Sequence, residues 1–379
     1  MTFDLSRRLL LGGALSGASL AASGIGAGAF AREFETPPKK KSVYGPDPKD
    51  AHLIFNENPY GPSPKALKAL AEAAGQGCYY QGKSIGYLTD MIAERHGVAP
   101  EQVVIGSGSY ELLTVMGLLY GQKGNILGPD LYWDTTAKYI EAHGLTTLKR
   151  SPMTAALEID LDAMLPLVTD DVSHVQLVNP NNPTGHVLDP AALRAFVLAA
   201  SKKANVLVDE AYIEIADDPE AISMMDLVRE GHDVIVCRTF SKIYGMAGLR
   251  IGYAIGQPEA IAAIQNSLIT SPNVAGIAAA IASYDDNEFL GFSKSKIQTA
   301  REMIMEGTKA AGLKPLPSQT SFVFVDTGMD ANVFRDRMRE KGVLIRGKYG
   351  DFHNYSRVSC GYLEDVKRYV AALPYALEG

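Results

Sequence analysis

The chain has 379 residues, 46% of them hydrophobic, with a mean hydropathy of −0.02 and a formal net charge of −7. That length and apolar content suit a large core and two domains, while the acidic balance argues against a nucleic-acid partner. The three cysteines, Cys78, Cys237 and Cys360, are too few for a disulfide framework and lack metal-ligand spacing, so each is read as a small buried hydrophobe.

At the N-terminus, Ser6-Arg7-Arg8-Leu9-Leu10-Leu11 forms a twin-arginine pattern. A Gly/Ala-rich apolar stretch follows from Leu9 to about Phe30, and Ala29-Phe30-Ala31 supplies a small–x–small cleavage signature. Residues 1–31 therefore read as an export signal for a protein that crosses the membrane already folded, with a periplasmic product. An uncleaved anchor is the alternative, disfavoured because Gly, Ala and Ser make the stretch only weakly hydrophobic. No other apolar run is long enough to span a bilayer, so no stable membrane anchor is expected.

Residues 32–55 follow as an arm or linker, polar and rich in Pro and Lys up to Asp50. From Pro100 onward, apolar runs alternate with helical patterns in the βαβ rhythm of a mostly parallel sheet. Residues 102–105 read as a strand, followed by Gly-Ser-Gly-Ser and a helix over 110–120. A strand at 174–178 ends in Asn-Pro-Asn-Asn-Pro-Thr-Gly, and Asp189-Pro190 opens a helix with a capping acid and a proline at its first position. Short β-branched strands at 206–208 and 234–237 run into the motifs Asp-Glu-Ala-Tyr and Arg-Thr-Phe-Ser-Lys. After about Asp285 the pattern becomes α+β: a long helix from Glu288, strands near 321–325, 343–346 and 355–359, and a closing helix. The expected division is a large domain over 56–285 and a small one over 286–379.

In an open parallel sheet, ligands gather outside the carboxyl ends of the strands, which is where these four motifs fall. Lys242 can hold an aldehyde cofactor as an imine and later shuttle a proton at a substrate α-carbon. Asp209, ending its strand, offers a carboxylate that keeps a pyridine nitrogen protonated, so that the ring draws electrons. Backbone N–H groups of Gly108, Ser109 and Tyr110 at a helix N-terminus suit a phosphate, and Arg250, Ser241 and Thr239 add charge-assisted and hydroxyl bonds. With Asn182 in its proline-glycine turn, these residues read as a site for pyridoxal 5′-phosphate.

From about Phe55 to its C-terminus the chain resembles the fold-type I aminotransferases, and within them the histidinol-phosphate aminotransferase branch most closely. The resemblance implies the α/β fold of that class, with a large, mostly parallel domain and a smaller α+β domain. It implies that Lys242 carries the cofactor, that Tyr212 and Asn182 bond its phenolic oxygen, and that Tyr132 stacks on its ring, with Trp133 as a rival. Arg357 is similar to the arginine that grips a substrate carboxylate, for which a guanidinium fork is suited. Tyr60, in Asn-Glu-Asn-Pro-Tyr-Gly-Pro, lies where a tyrosine helps recognise the substrate side chain. Arg346, with Lys348 nearby, corresponds to an arginine at the substrate's distal, phosphate-bearing end. Tyr80, or Tyr79 beside it, occupies the place of a tyrosine that crosses a homodimer interface to the partner's cofactor phosphate. One departure is Tyr110 followed by Glu111, where the family often has an acid directly after the small residue; backbone donors survive it.

The first functional expectation is therefore an aminotransferase working by ping-pong chemistry between an amino donor and a 2-oxo acid acceptor. A histidinol-phosphate-like donor fits the resemblance, whereas export does not fit histidine biosynthesis. Threonine-phosphate-type decarboxylases and amino-acid oxidases share the cofactor motifs and form a second expectation. A non-catalytic exported binding protein is the third. No helix-turn-helix appendage suggests a regulator, and no Gly-x-Gly-x-x-Gly after an early strand suggests a nicotinamide enzyme.

Overall fold

The computed structural model describes residues 43–378, so the export signal read at 1–31 lies outside the described residues. Its central feature is a seven-stranded sheet built from β2 (Val103–Gly106), β3 (Asn125–Pro129), β4 (Leu148–Ser151), β5 (Val172–Val178), β6 (Asn205–Asp209), β7 (Val234–Thr239) and β8 (Gly252–Ile255). The order is β2-β8-β7-β6-β5-β3-β4. All neighbours pair in parallel except β8, which runs antiparallel to both β2 and β7. Consequently β2 points the same way as β3 to β7, and their carboxyl ends share one edge.

The apolar runs explain why this sheet is central. Along β6 and β7 every residue is buried, and alternate side chains go to opposite faces. Val206, Val208, Val234 and Val236 join one core with Leu193 and Val197 of the helix Pro190–Ala200. Leu207, Ile235 and Cys237 join another, with Leu112 and Met116 of the helix Ser109–Gly121. Asp189 caps Pro190–Ala200 through its side chain, which accepts from the Ala192 N–H, and Pro190 occupies the first turn as expected. β5, β6 and β7 extend the strands read from sequence by one or two residues at an end, because ladder pairing reaches polar residues such as Asn205 and Asp209 that an apolar run does not include, whereas β2 and β10 are shifted by one residue and the strand read at 343–346 is only Val343–Leu344.

The C-terminal part adds β9 (Lys314–Pro315), β10 (Phe322–Asp326) and β12 (Tyr355–Ser359), an antiparallel sheet in the order β12-β10-β9. The helix Asn287–Ala310 packs against β10 and against the last helix, Leu363–Leu377. A separate two-stranded ladder pairs β1 (Ala51–His52) in parallel with β11 (Val343–Leu344). This ladder corrects the reading of 32–55 as a linker throughout. Ala51 and Leu53 are wholly buried, and the Leu53 N–H donates to the Leu344 carbonyl at 2.9 Å, so the segment's end belongs to the fold.

Two smaller expectations divide. Cys237 and Cys360 are buried, but Cys78 is exposed, because it lies in the surface turn beyond the short helical turn Ala74–Gln76. Among the described residues, no helix is long and apolar enough to cross a membrane.

Candidate active site

The parallel strands deliver four loops to one edge, and there they enclose a cavity. Its lining includes Ser109 and Tyr110 after β2, Asn182 after β5, Asp209 and Tyr212 at the end of β6, and Thr239, Ser241 and Lys242 at the end of β7. Trp133 and Arg250 also line it.

One end of the cavity is a cluster of donors. Gly108 has a positive φ of 81°, and a Cβ there would stand 2.3 Å from Nη2 of Arg250. A Cβ on Gly252 would stand 2.2 Å from the backbone nitrogen of Ser109. The two glycines thus let a guanidinium and a helix N-terminus approach each other. Arg250 is itself left-handed (φ 58°), and its Nη1 donates to the Ala247 carbonyl at 2.9 Å and to Ser241 Oγ at 3.4 Å. Thr239 Oγ1 donates to Ser241 Oγ at 3.0 Å. Glu111 turns away from this cluster: its Oε2 accepts the Ser107 N–H at 2.7 Å, and its Oε1 accepts from the Thr270 hydroxyl. The first-turn N–H groups of Ser109 and Tyr110 point with the helix dipole at the same place. This donor set fits a phosphate dianion.

The opposite requirement, a negative charge in a dry place, is met by Asp209. The residue is 6% exposed, and its side chain accepts the Ala211 N–H at 3.2 Å. Burial pushes its carboxyl up to about 7, against the pull of the Lys242 ammonium. The neighbouring Glu210 is withdrawn from the cavity by Arg238, whose Nε and Nη2 donate to Glu210 Oε2 at 3.0 and 2.8 Å. Of the acidic pair in Asp-Glu-Ala-Tyr, only Asp209 lines the cavity. Lys242 Nζ stands 5.4 Å from the centre of the Tyr212 ring. A buried carboxylate, an amine and a dianion-sized donor cluster in one cavity fit pyridoxal 5′-phosphate.

Tyr212 is held at its hydroxyl by Asn182 Nδ2 at 3.3 Å and by Asn56 Nδ2 at 3.1 Å. Arg357 Nη1 donates to Asn182 Oδ1 at 2.6 Å, and Nη2 donates to the Ile54 carbonyl at 3.1 Å. Arg346 is exposed and bridges to β12 through its backbone N–H, 3.0 Å from the Arg357 carbonyl. The Arg346 and Arg357 guanidinium carbons lie 5.8 and 5.6 Å from the centre of the Tyr349 ring, so the two cations share one aromatic. Lys348 Nζ lies 3.3 Å from His353 Nδ1.

Two expected roles do not match the geometry. Tyr132 does not line the cavity. Its ring packs over Gly128, where a Cβ would meet it at 2.5 Å, and its hydroxyl donates to Gln176 Oε1 at 3.2 Å on β5. The adjacent Leu131 carbonyl accepts from Asn181 Nδ2 at 3.1 Å, which pins the loop so that Trp133, the rival, lines the cavity. Trp133 also meets the Tyr110 ring edge-on at 5.2 Å. Tyr60 is likewise buried away from the cavity lining: its ring lies edge-on to Phe292 and Tyr362, and its hydroxyl accepts the Leu363 N–H at 3.2 Å. The first turn of the last helix needs acceptors for its N–H groups, and Tyr60 provides one. Tyr80 is fully exposed and far from contributing to its own chain's cavity; with Tyr79, Ile269 and Pro272 it lines a surface groove. Asn56, whose motif was noted but which had no role in the sequence reading, is the residue most clearly missed.

Residues 50–373 match the family Aminotransferase class I and II. The chain is 35% identical over 332 residues to the histidinol-phosphate aminotransferase of Anaeromyxobacter sp. (strain Fw109-5), covering 85% of this chain and 90% of that one. It is 33% identical to histidinol-phosphate aminotransferase 1 of Dechloromonas aromatica, with 88% and 91% covered. The crystal structure of histidinol-phosphate aminotransferase from Sinorhizobium meliloti in complex with pyridoxal-5′-phosphate superposes with a TM-score of 0.79 at 30% identity, over 94% of this chain and 95% of that one. The architecture is the fold-type I one expected from sequence, with its mostly parallel large sheet and α+β C-terminal part. On the residues matched and the likeness of both sequence and structure, the chain belongs to the class I and II aminotransferases.

Proposed function

We propose that this chain is a pyridoxal-phosphate-dependent aminotransferase. It moves an amino group between an amino acid, or a phosphorylated amine of the histidinol-phosphate kind, and a 2-oxo acid by ping-pong chemistry. The observation that carries the reading is the meeting of Lys242, Asp209 and the Arg250–Ser241–Ser109 donor cluster in one cavity.

When bound, the cofactor supplies a pyridinium ring that draws electron density from the substrate α-carbon. Lys242 would hold the aldehyde and would take and return a proton at the substrate α-carbon. Asp209, in its dry pocket, holds a proton at the pyridine nitrogen. Arg250, Ser241, Thr239 and the N–H groups of Gly108, Ser109 and Tyr110 hold the phosphate. Tyr212 and Asn182 orient the ring through its phenolic oxygen, and Trp133, rather than Tyr132, covers its face. Arg357 binds the substrate carboxylate, and Arg346 meets a second anionic group further out.

The fully exposed Tyr80, beside Tyr79 and Ile269, supports a homodimer in which this patch is covered by a second copy. The twin-arginine pattern supports export of the folded, cofactor-loaded protein to the periplasm. Arg7→Lys together with Arg8→Lys is expected to hold the protein in the cytoplasm if that route is used.

A half-reaction screen tests the function. Purified holoprotein mixed with a panel of amino acids and histidinol phosphate should lose its visible chromophore with one donor class, release one oxo product per site, and recover with a 2-oxo acid. Lys242→Ala should carry no reducibly bonded chromophore. Release of carbon dioxide or peroxide in place of amino transfer would assign one of the sister reactions instead, and a spectrum unmoved by every donor would leave only a binding role.

A further inference from the structure

Asn56 reaches Tyr212 from 156 residues away, and the way it is held determines which of its atoms does so. It is 2% exposed and sits in the left-handed region at φ 59°, a conformation that asparagine tolerates better than most residues. Its backbone N–H donates to Ser359 Oγ at 2.9 Å, and Ser359 Oγ in turn donates to Asn56 Oδ1 at 2.8 Å. The serine proton is therefore committed to the amide oxygen, and the amide nitrogen must face Tyr212. Asn182 is pinned in the same sense. Its Oδ1 accepts from Arg357 Nη1, so its Nδ2 faces Tyr212 as well.

A phenolic oxygen has two acceptor positions and one proton. Both acceptor positions on Tyr212 are filled, by Asn56 at 3.1 Å and Asn182 at 3.3 Å. Its hydroxyl can then act toward any further group only as a donor, and Tyr212 lines the cavity beside Asp209 and Lys242. We propose that Asn56, fixed by Ser359, is a positioning residue that commits the Tyr212 hydroxyl to donate into the cavity, onto the anionic ring oxygen of the cofactor. The two N–H bonds received by the oxygen polarise the O–H bond and strengthen that donation. This inference rests on the proposed cofactor.

Asn56→Asp separates positioning from structure. Aspartate keeps the size, tolerates the left-handed backbone and still accepts from Ser359, but it presents an acceptor where the amide presented a donor. The Tyr212 proton then turns to the carboxylate and away from the cavity. The probes are pyridoxal 5′-phosphate and its 3-O-methyl ether, in which the anionic oxygen is blocked. Binding to apoprotein is read from the fluorescence of Trp133, the single tryptophan of the chain and part of the cavity wall. Asn56→Asp is expected to weaken the phosphate aldehyde about 10-fold relative to the parent and to leave the ether's affinity within about 2-fold. Ser359→Ala, which keeps the Asn56 side chain but removes the partner of both its amide oxygen and its backbone N–H, should give the same selective loss at roughly 3-fold. Equal losses for both probes, or none for either variant in a parent that binds, would overturn the positioning role alone. A parent that takes up neither probe would overturn the cofactor reading and this inference with it.

Discussion

Asp209→Asn should make the apoprotein more stable than the parent in mild base and no more stable in acid. The Asp209 carboxyl is buried, and its pKa rises from an ordinary 3.8 to about 7, chiefly through loss of solvation and despite the Lys242 ammonium. In the unfolded chain the same group ionises near its ordinary value. Between those two values the folded state keeps a proton that the unfolded state has released, so stability falls as pH rises through the window. About 3 pH units at 1.36 kcal/mol each give a penalty on the order of 4 kcal/mol above neutrality. Asparagine can still accept the Ala211 N–H, 3.2 Å away in the parent, and it never ionises, so it escapes the penalty. Urea denaturation of both apoproteins across the window measures the difference directly. The cofactor's pyridinium should reverse the order, since a cation beside Asp209 relieves the parent and offers the variant's neutral amide nothing comparable. If the variant apoprotein, natively folded, is no more stable than the parent at about pH 8, then Asp209 is not a desolvated carboxylate.

Gly252→Ala forces a Cβ to within 2.2 Å of the Ser109 backbone, which cannot yield as a flexible side chain would. It should cost on the order of 2 kcal/mol or more and weaken cofactor uptake, whereas Gly291→Ala, with open space around its Cβ, should be neutral or stabilising by denaturation. His174 is wholly buried, and loss of solvation pushes its pKa from 6.5 down to about 4, against its bond to Asn205. Its contribution is present above the unfolded value and is lost as pH falls through the window, by roughly 3 kcal/mol. His174→Gln should accordingly flatten the acid limb of a denaturation series, and a limb superimposable on the parent's would refute the argument.

The parts of this site that were legible in the sequence are those set by strand periodicity. Asp209 and Thr239 end β6 and β7, Asn182 follows β5 and Ser109 follows β2, so a parallel sheet brings them together however far apart they lie in the chain. Side chains on the loops beyond those ends obey no period. Tyr132 and Trp133 are neighbours in one loop, and the choice between them is made by Gly128, Gln176 and Asn181, residues on other segments. The placement of Tyr60 was hidden for a similar reason: its hydroxyl accepts from an N–H at residue 363. The antiparallel insertion of β8 between β2 and β7 was also hidden, because a buried strand has the same composition in either direction.

The missed contact between Asn56 and Ser359 spans 303 residues, and its context explains why the N-terminal segment belongs to the site at all. β1 pairs with β11, and the chain then passes β12, where the Ser359 N–H donates to the Leu53 carbonyl at 3.0 Å. Arg357, two residues earlier on that strand, ties the Ile54 carbonyl to Asn182. A guanidinium has five N–H donors, and these two bonds fix its plane while leaving three. In the role proposed for it, the arginine would meet a carboxylate already oriented, with little rotamer freedom left to lose on binding. The same two bonds join the N-terminal segment, the turn after β5 and the C-terminal sheet at a single side chain. Orientation of Arg357 and closure of the fold around it are in this way one arrangement, and a sequence pattern confined to any one of those segments cannot contain it.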